Sequence, residues 1–230
     1  MAELVILGAT LSPFVSKVLA AADYKRFTYT FKEVLKPQDL KKINPATGKM
    51  PVLRVDGELV YDSTEILRRF DALEPRPALL AEDATIAARQ RILEDWSDES
   101  LYWYLMALRW SPENEARTVA QLSGVLPGLI RPFAAPMLRR LIGRTTKAQG
   151  LGRVPYDILI AEVGERLDDL TLLLEERAFF CAEHPSVADF AIYGMFDTGM
   201  TEATPDFREL VLERPKLADW HGRVQEATRH

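Results

Sequence analysis

Cysteine is almost missing from this chain: Cys181 is the one cysteine in 230 residues. It can form no internal disulfide, no thiolate metal cluster and no C-x-x-C redox pair, and it fits a reducing compartment. Histidine is scarce as well. His184, His221 and His230 are dispersed without metal-ligand spacing, so no metal centre is expected. Long apolar runs are lacking too. The nearest candidate, "VLPGLIRPFAAPMLRRLIG", is interrupted by Pro127, Pro132, Pro136 and three arginines, where a membrane span needs roughly 18 uninterrupted apolar residues. The start, "MAELVILGAT", has neither the basic residues nor the apolar stretch of a signal peptide. Positive charge is in deficit: 29 Lys and Arg against 34 Asp and Glu give a formal net charge of −5. That balance argues against a general nucleic-acid binder. What remains is a soluble, cytoplasmic globular protein, and 47% hydrophobic residues supply ample core.

The first third of the chain alternates between two periods. "ELVILG" is short, apolar and β-rich, reading as a buried strand, and "FVSKVLAAADY" places Phe14, Val18, Leu19 and Ala22 at helical spacing. "RFTYTFKEV" alternates aromatic and polar residues, a second strand, and "PQDLKKI" is a short helix closed by Asn44-Pro45 and Gly48. "PVLRV" and "ELVYD" are joined by Asp56-Gly57, a two-residue hairpin signal. "STEILRRFDAL" then reads as a helix with Ile66, Leu67 and Phe70 inward. The order β-α-β-α-β-β-α implies two parallel strands linked by a right-handed crossover, then a hairpin.

A segment with Pro75 and Pro77 follows, and beyond Asp83 nearly everything reads as helix. "DATIAARQRILEDWSDESLYWYLMALRW" is one long helix, with a kink allowed. The expected fold is α/β followed by all-α: residues 1–74, a linker over 75–82, and a helical domain over 83–230.

Three short motifs carry chemistry. Met50-Pro51 stands where a β-α-β-α-β-β-α domain of the thioredoxin type has a cis proline before its third strand. A cis bond there turns the backbone of Met50 outward, toward a peptide-like ligand. Asp62-Ser63-Thr64 opens the next helix; Ser63 or Asp62 caps it, and a helix N-terminus also binds a carboxylate. Asp62 adds a negative charge for an ammonium group, so the pair suits an α-amino-acid head group. Ser12 precedes Pro13, which suits a first helical position, so Ser12 is the N-cap. Its hydroxyl in that place can also donate to a ligand thiolate, and with the helix dipole lower the thiol pKa.

In this order the motifs resemble those of the glutathione transferases. "SPFVSKV" and "NPATGKMPVLRVDGELVYDS" are similar to the serine-type, tau-class N-terminal domain. That resemblance implies a catalytic Ser12 facing the glutathione sulfur and Met50, beside cis Pro51, on the cysteinyl backbone. It implies Asp62 and Ser63 on the γ-glutamyl end, and Lys49 and Lys36 on the glycine carboxylate. Asp62 replaces the longer Glu of tau enzymes. A serine, Ser12, in place of the cysteine of omega-type relatives argues against disulfide exchange at this site. The C-terminal stretches "ESLYWYLMALRW" and "DLTLLLEERAFFCAEHPSVADFAIYGMF" resemble the metaxin and failed-axon-connections group.

The resemblance implies glutathione as co-substrate, a small electrophile as second reactant and a homodimer. The alternatives are a non-enzymatic adaptor or ligand-binding protein, and a glutathione-dependent isomerase, dehalogenase or peroxidase. Tyr102, Trp103, Met106 and Trp110 are candidates for the apolar second pocket, with core packing as the default for this aromatic helix. Arg109 either pairs with an acid or meets an anionic substrate. Arg139, Arg140, Arg144, Lys147 and Arg153 read as a solvated helix face. Ser186 and Asp189 read as a capping box, and Cys181 as a small buried packing residue.

Overall fold

The computed structural model describes residues 3–125, 140 and 142–229. Arg139 and most of the proline-punctuated stretch lie outside the described residues.

The expected order of the first third is observed. It runs β1 (Leu4–Gly8), α1 (Pro13–Tyr24), β2 (Tyr29–Glu33), α2 (Pro37–Ile43), β3 (Val52–Val55), β4 (Glu58–Tyr61) and α3 (Ser63–Leu73). The sheet order is β2-β1-β3-β4. β1 pairs parallel with β2 and antiparallel with β3, and β3 pairs antiparallel with β4. β1 is buried along its whole length, which is why it reads as a continuous apolar run rather than an alternation. The hairpin turns on Asp56 (φ 48°) and Gly57 (φ 91°), two left-handed residues in succession, as a type I′ turn requires. Asp56 Oδ1 also accepts from the Glu3 amide at 2.9 Å, tying the turn to the residue before β1.

α1 is buried more completely than its spacing implies. Val15, Ser16, Lys17, Val18, Ala20, Ala21 and Ala22 are all buried, while Phe14 and Leu19 are only half-buried. The small residues of this helix let it be covered on several sides.

Helices follow. They are α4 (Ala84–Trp96), α5 (Tyr102–Arg109), α6 (Glu115–Val125), α7 (142–149), α8 (Tyr156–Leu174), α9 (Val187–Gly199), α10 (Pro205–Leu212) and α11 (Pro215–Thr228). The single long helix expected over 83–110 is instead divided, because a π-helical turn over Ser97–Leu101 separates α4 from α5. The wide turn falls on "SDES", four consecutive residues of which three are poor helix formers. Among the described residues after α3, the strand content is one isolated bridge, Phe179 to Ala182. No helix among them is long and apolar enough to cross a membrane.

Contacts gather the chain into two compact units. One comprises Met1–Asp98, Leu174–Thr198 and Asp219–His230; the other comprises Glu99–Leu173 and Gly199–Ala218. In the first, the sheet and α1 bury Ile6, Leu53, Val15 and Val18, while α3 contributes Ile66, Leu67 and Phe70. Its second focus is Trp220 of α11, fully buried and edge-on to Phe180 and Phe196 at 5.1 and 5.4 Å. The segment 75–82 is held closely. Lys25 Nζ donates to Asp71 at 2.8 Å and to the Pro77 carbonyl at 2.7 Å, and Asp71 accepts from the Leu79 amide. In the second unit, α5, α8 and α10 bury Leu105, Leu108, Val163, Leu167 and Phe207. Tyr104 donates to Glu162 at 2.7 Å beneath the Arg166 guanidinium.

The Ser186–Asp189 capping box is present and does more than cap. Asp189, fully buried, accepts from the Ser186 amide and hydroxyl, the Phe180 amide and the Trp220 indole, all at 2.8–2.9 Å. Burial still pushes its carboxyl up to about 6, against the lowering by those donors. Removing this acceptor would strand three buried donors and the indole at once. Asp189→Ala is therefore expected to lower unfolding free energy by roughly 3 kcal/mol or more in denaturant titration. A loss under about 1 kcal/mol would contradict the role given to Asp189.

Candidate active site

The strand register brings the sequence motifs to one end of the sheet. Leu7 of β1 pairs with Val52 of β3, Val52 with Tyr61 of β4, and Gly8 with Glu33 of β2. At the usual strand spacing of about 4.8 Å, the loop to Ser12, the Met50-Pro51 peptide, Asp62-Ser63 and the segment carrying Lys36 all leave the sheet on the same side. Nothing local in any one motif dictates this. It follows from the antiparallel placement of β3 between β1 and β4.

Each motif has a defined geometry. Ser12 is the N-cap of α1 with extended backbone (φ −88°, ψ 124°), and its carbonyl accepts from Val15 and Ser16 at 3.1 and 3.0 Å. Pro13 occupies the first turn, as expected. The Ser12 side chain, however, makes no cap hydrogen bond. The backbone alone begins the helix, and the half-buried hydroxyl is not consumed by it.

The Met50-Pro51 bond is cis. β3 pairs from Val52 onward, so the backbone groups of Met50 lie outside the ladder. The Met50 sulfur accepts from the Ala9 amide at 3.1 Å, linking this peptide to the loop before Ser12. Asn44 supports the approach from the other side: its side-chain amide donates to Thr47 Oγ1 at 2.8 Å and to the Lys49 carbonyl at 3.1 Å. A second cis bond, Arg76-Pro77, had no signal in the sequence.

Asp62 caps α3, its Oδ1 accepting from the Thr64 amide at 2.9 Å. It does so at φ 74° and ψ 136°, a region where a non-glycine residue costs of order 1–3 kcal/mol. Such outliers gather where a ligand is clamped, which makes this one informative. Asp62 is exposed, Ser63 beside it is buried, and Lys36 and Lys49 are both exposed.

The remaining candidates are placed elsewhere. Tyr102, Trp103 and Met106 lie on α5 and Trp110 at its end, each half-buried, and all belong to the second unit. Tyr102 and Trp103 meet edge-on at 5.1 Å. Among the described residues Arg109 has no acid partner: it is 9% exposed, donates to Gln121 at 2.7 Å, and its Nε is unpartnered. Burial lowers its pKa. Arg140, Arg144, Lys147 and Arg153 are exposed, as a solvated face requires. Cys181 is half-buried rather than buried, on a left-handed turn residue (φ 65°), and burial pushes its thiol up.

Sequence reasoning missed the polar core beneath the site. Lys17, 1% exposed, donates from Nζ to Glu94 and to Asp98, both at 2.7 Å, and lies 3.4 Å from Thr64 Oγ1. The Thr64 hydroxyl donates to Glu94 at 3.0 Å. The cluster thus ties α1, one turn beyond Ser12, to α3, two residues beyond Asp62. Its one signal in the sequence is a lysine in the first half of a helix whose residues from Phe14 to Ala22 are otherwise small or apolar.

Gly194 of α9 presses on the same helix: a Cβ there would fall 2.3 Å from the Pro13 carbonyl and 3.0 Å from the Lys17 amide. Gly194→Ala is expected to push the first turn of α1 aside and cost about 1–3 kcal/mol in chemical denaturation. A variant as stable as the parent would contradict this packing.

The sheet, its cis proline and the helices that follow define a thioredoxin-like domain succeeded by a helical region. Residues 11–73 match the sequence family described as the glutathione S-transferase N-terminal domain. No curated relative matches the chain. Many solved structures share its fold. A tau-class glutathione S-transferase from mango, Mangifera indica, has a TM-score of 0.66 at 20% identity, over 99% of this chain and 93% of that one. The beta-etherase LigF from Sphingobium sp. strain SYK-6 has a TM-score of 0.71 at 21% identity, over 98% of each chain. A rice glutathione S-transferase solved with glutathione has a TM-score of 0.61 at 24% identity, over 97% of this chain and 88% of that one. Residues 11–73 are thus a glutathione S-transferase N-terminal domain, and the chain shares the fold of these solved structures.

Proposed function

We propose that the chain is a glutathione transferase of the serine type. The observation that carries this reading is the convergence of Ser12, the cis Met50-Pro51 peptide and the strained cap Asp62 at one end of the sheet. Glutathione offers complementary groups in the same order. Its thiol would lie against the Ser12 hydroxyl, where a donor and the positive end of α1 favour the thiolate. Its cysteinyl backbone would pair with the outward N–H and C=O of Met50. The γ-glutamyl carboxylate would take the N-terminus of α3 at Ser63, and its ammonium the Asp62 carboxylate. Lys49 and Lys36 are left for the glycine carboxylate.

In this reading residues 1–74 bind glutathione, 75–82 connect, and 83–230 supply the second substrate's surface. Tyr102, Trp103, Met106 and Trp110 offer half-exposed apolar area for a small electrophile. No general base is required, because the thiolate attacks directly and Ser12 only stabilises it. Rate enhancement would come from raising the thiolate fraction and from holding the two reactants together.

Ser12→Ala is expected to lower turnover of a generic aryl halide about 10- to 100-fold, the range for one hydrogen bond to a developing or stabilised anion. Glutathione affinity, measured by calorimetry, should change little. Undiminished turnover with glutathione still bound would remove Ser12 from the mechanism. Absence of binding at millimolar glutathione would replace the enzyme with a ligand-free adaptor on the same fold.

A further inference from the structure

The buried cluster under the site carries an uncompensated charge. Lys17 is one cation, while Glu94 and Asp98 are two carboxylates, and all three are largely withdrawn from water. Asp98 Oδ2 takes the lysine, but its Oδ1 is buried without a partner. Such an atom is costly unless it holds a proton or a positive charge lies nearby.

The charges that act on Asp98, in the π-helical turn after α4, come from three elements: Lys17 of α1, Glu94 of α4, and Asp62 at the start of α3. Only the first is positive. Of these neighbours Asp62 alone reaches the surface. A cation placed on Asp62 would therefore relieve two carboxylates, the exposed one it touches and the buried one behind it. Thr64 links the two layers, its amide bonded to Asp62 and its hydroxyl to Glu94.

We propose that Asp98 is a positioning residue for the ammonium end of the ligand, acting through Asp62, and that ligand binding is thereby coupled to loss of a proton from Asp98. This rests on the glutathione reading of the site. Burial pushes the Asp98 carboxyl up to about 6; Lys17 lowers it, while Glu94 and Asp62 raise it. Below that pH Asp98 holds a proton, the buried cluster is neutral overall, and an ammonium on Asp62 gains only the attraction of Asp62 itself. Above it, the cluster carries one net negative charge and adds its field. Affinity should therefore fall as the pH drops through about 6.

S-methylglutathione is the probe, since it keeps the ammonium and both carboxylates but has no ionisable thiol. Calorimetric titrations between pH 5 and pH 7.5, in buffers of different ionisation enthalpy, should show binding about three- to tenfold weaker at the acid end. Proton release should peak near pH 6. Asp98→Asn should flatten both curves. If Asp98→Asn fails to fold, carboxyl-carbon NMR of the wild type decides: the Asp98 midpoint should move down when S-methylglutathione is added. A wild-type affinity independent of pH, an unchanged slope in Asp98→Asn, or a midpoint that ignores the ligand would each overturn the coupling while leaving the glutathione reading intact. No binding of S-methylglutathione at any pH would overturn both.

Discussion

The antiparallel seating of β3 against β1 is the constraint on which the candidate site depends. It turns the start of β3 and the end of β4 toward the same edge as the end of β1. Had β3 run parallel, Met50-Pro51 would leave from the opposite end of the sheet from Ser12. A register slip of one residue would turn the buried face of these strands outward. Burial of Val52, Leu53 and Val55 against Ile6 and the helices holds the register, and with it the distance between a helix cap, a cis peptide and a second helix cap.

On that frame, each half of the site is fixed from beneath. Gly194 lets α9 come against the Pro13 carbonyl, and Lys17 anchors α1 to Glu94 and Asp98. Pairing a buried lysine with two carboxylates is a poor way to gain stability, since desolvation offsets most of the attraction. It does hold three helices in one arrangement. Asp189 serves the neighbouring core in a similar way, gathering four donors around Trp220.

Much of this was legible in the sequence because the signals were local. "ELVILG" announced a buried strand, Asp56-Gly57 a two-residue hairpin, and Ser12-Pro13 a helix start. The Met50-Pro51 bond was readable as cis only because the elements around it matched a thioredoxin-like order. What escaped notice depended on distant partners. The π turn at Ser97–Leu101 has no periodic signature, and a kink was all the pattern allowed. Lys17 looks like an ordinary helical lysine until Glu94 and Asp98 are brought to it across some 80 residues of chain. Arg109 is the same case: its partner, Gln121, is neither of the two that its surroundings suggested. The Ser12 side chain illustrates the converse. Residue type and position announced a cap, yet the backbone alone caps, and the hydroxyl is left unspent.

That unspent hydroxyl is the centre of the functional account. The ionisation of protein-bound glutathione, followed by ultraviolet absorbance of the thiolate across pH, tests it most directly. The account predicts a bound thiol that ionises at lower pH than free glutathione, and a midpoint that moves back up in Ser12→Ala. A bound thiol that titrates as it does in solution, or a midpoint indifferent to Ser12, would contradict it.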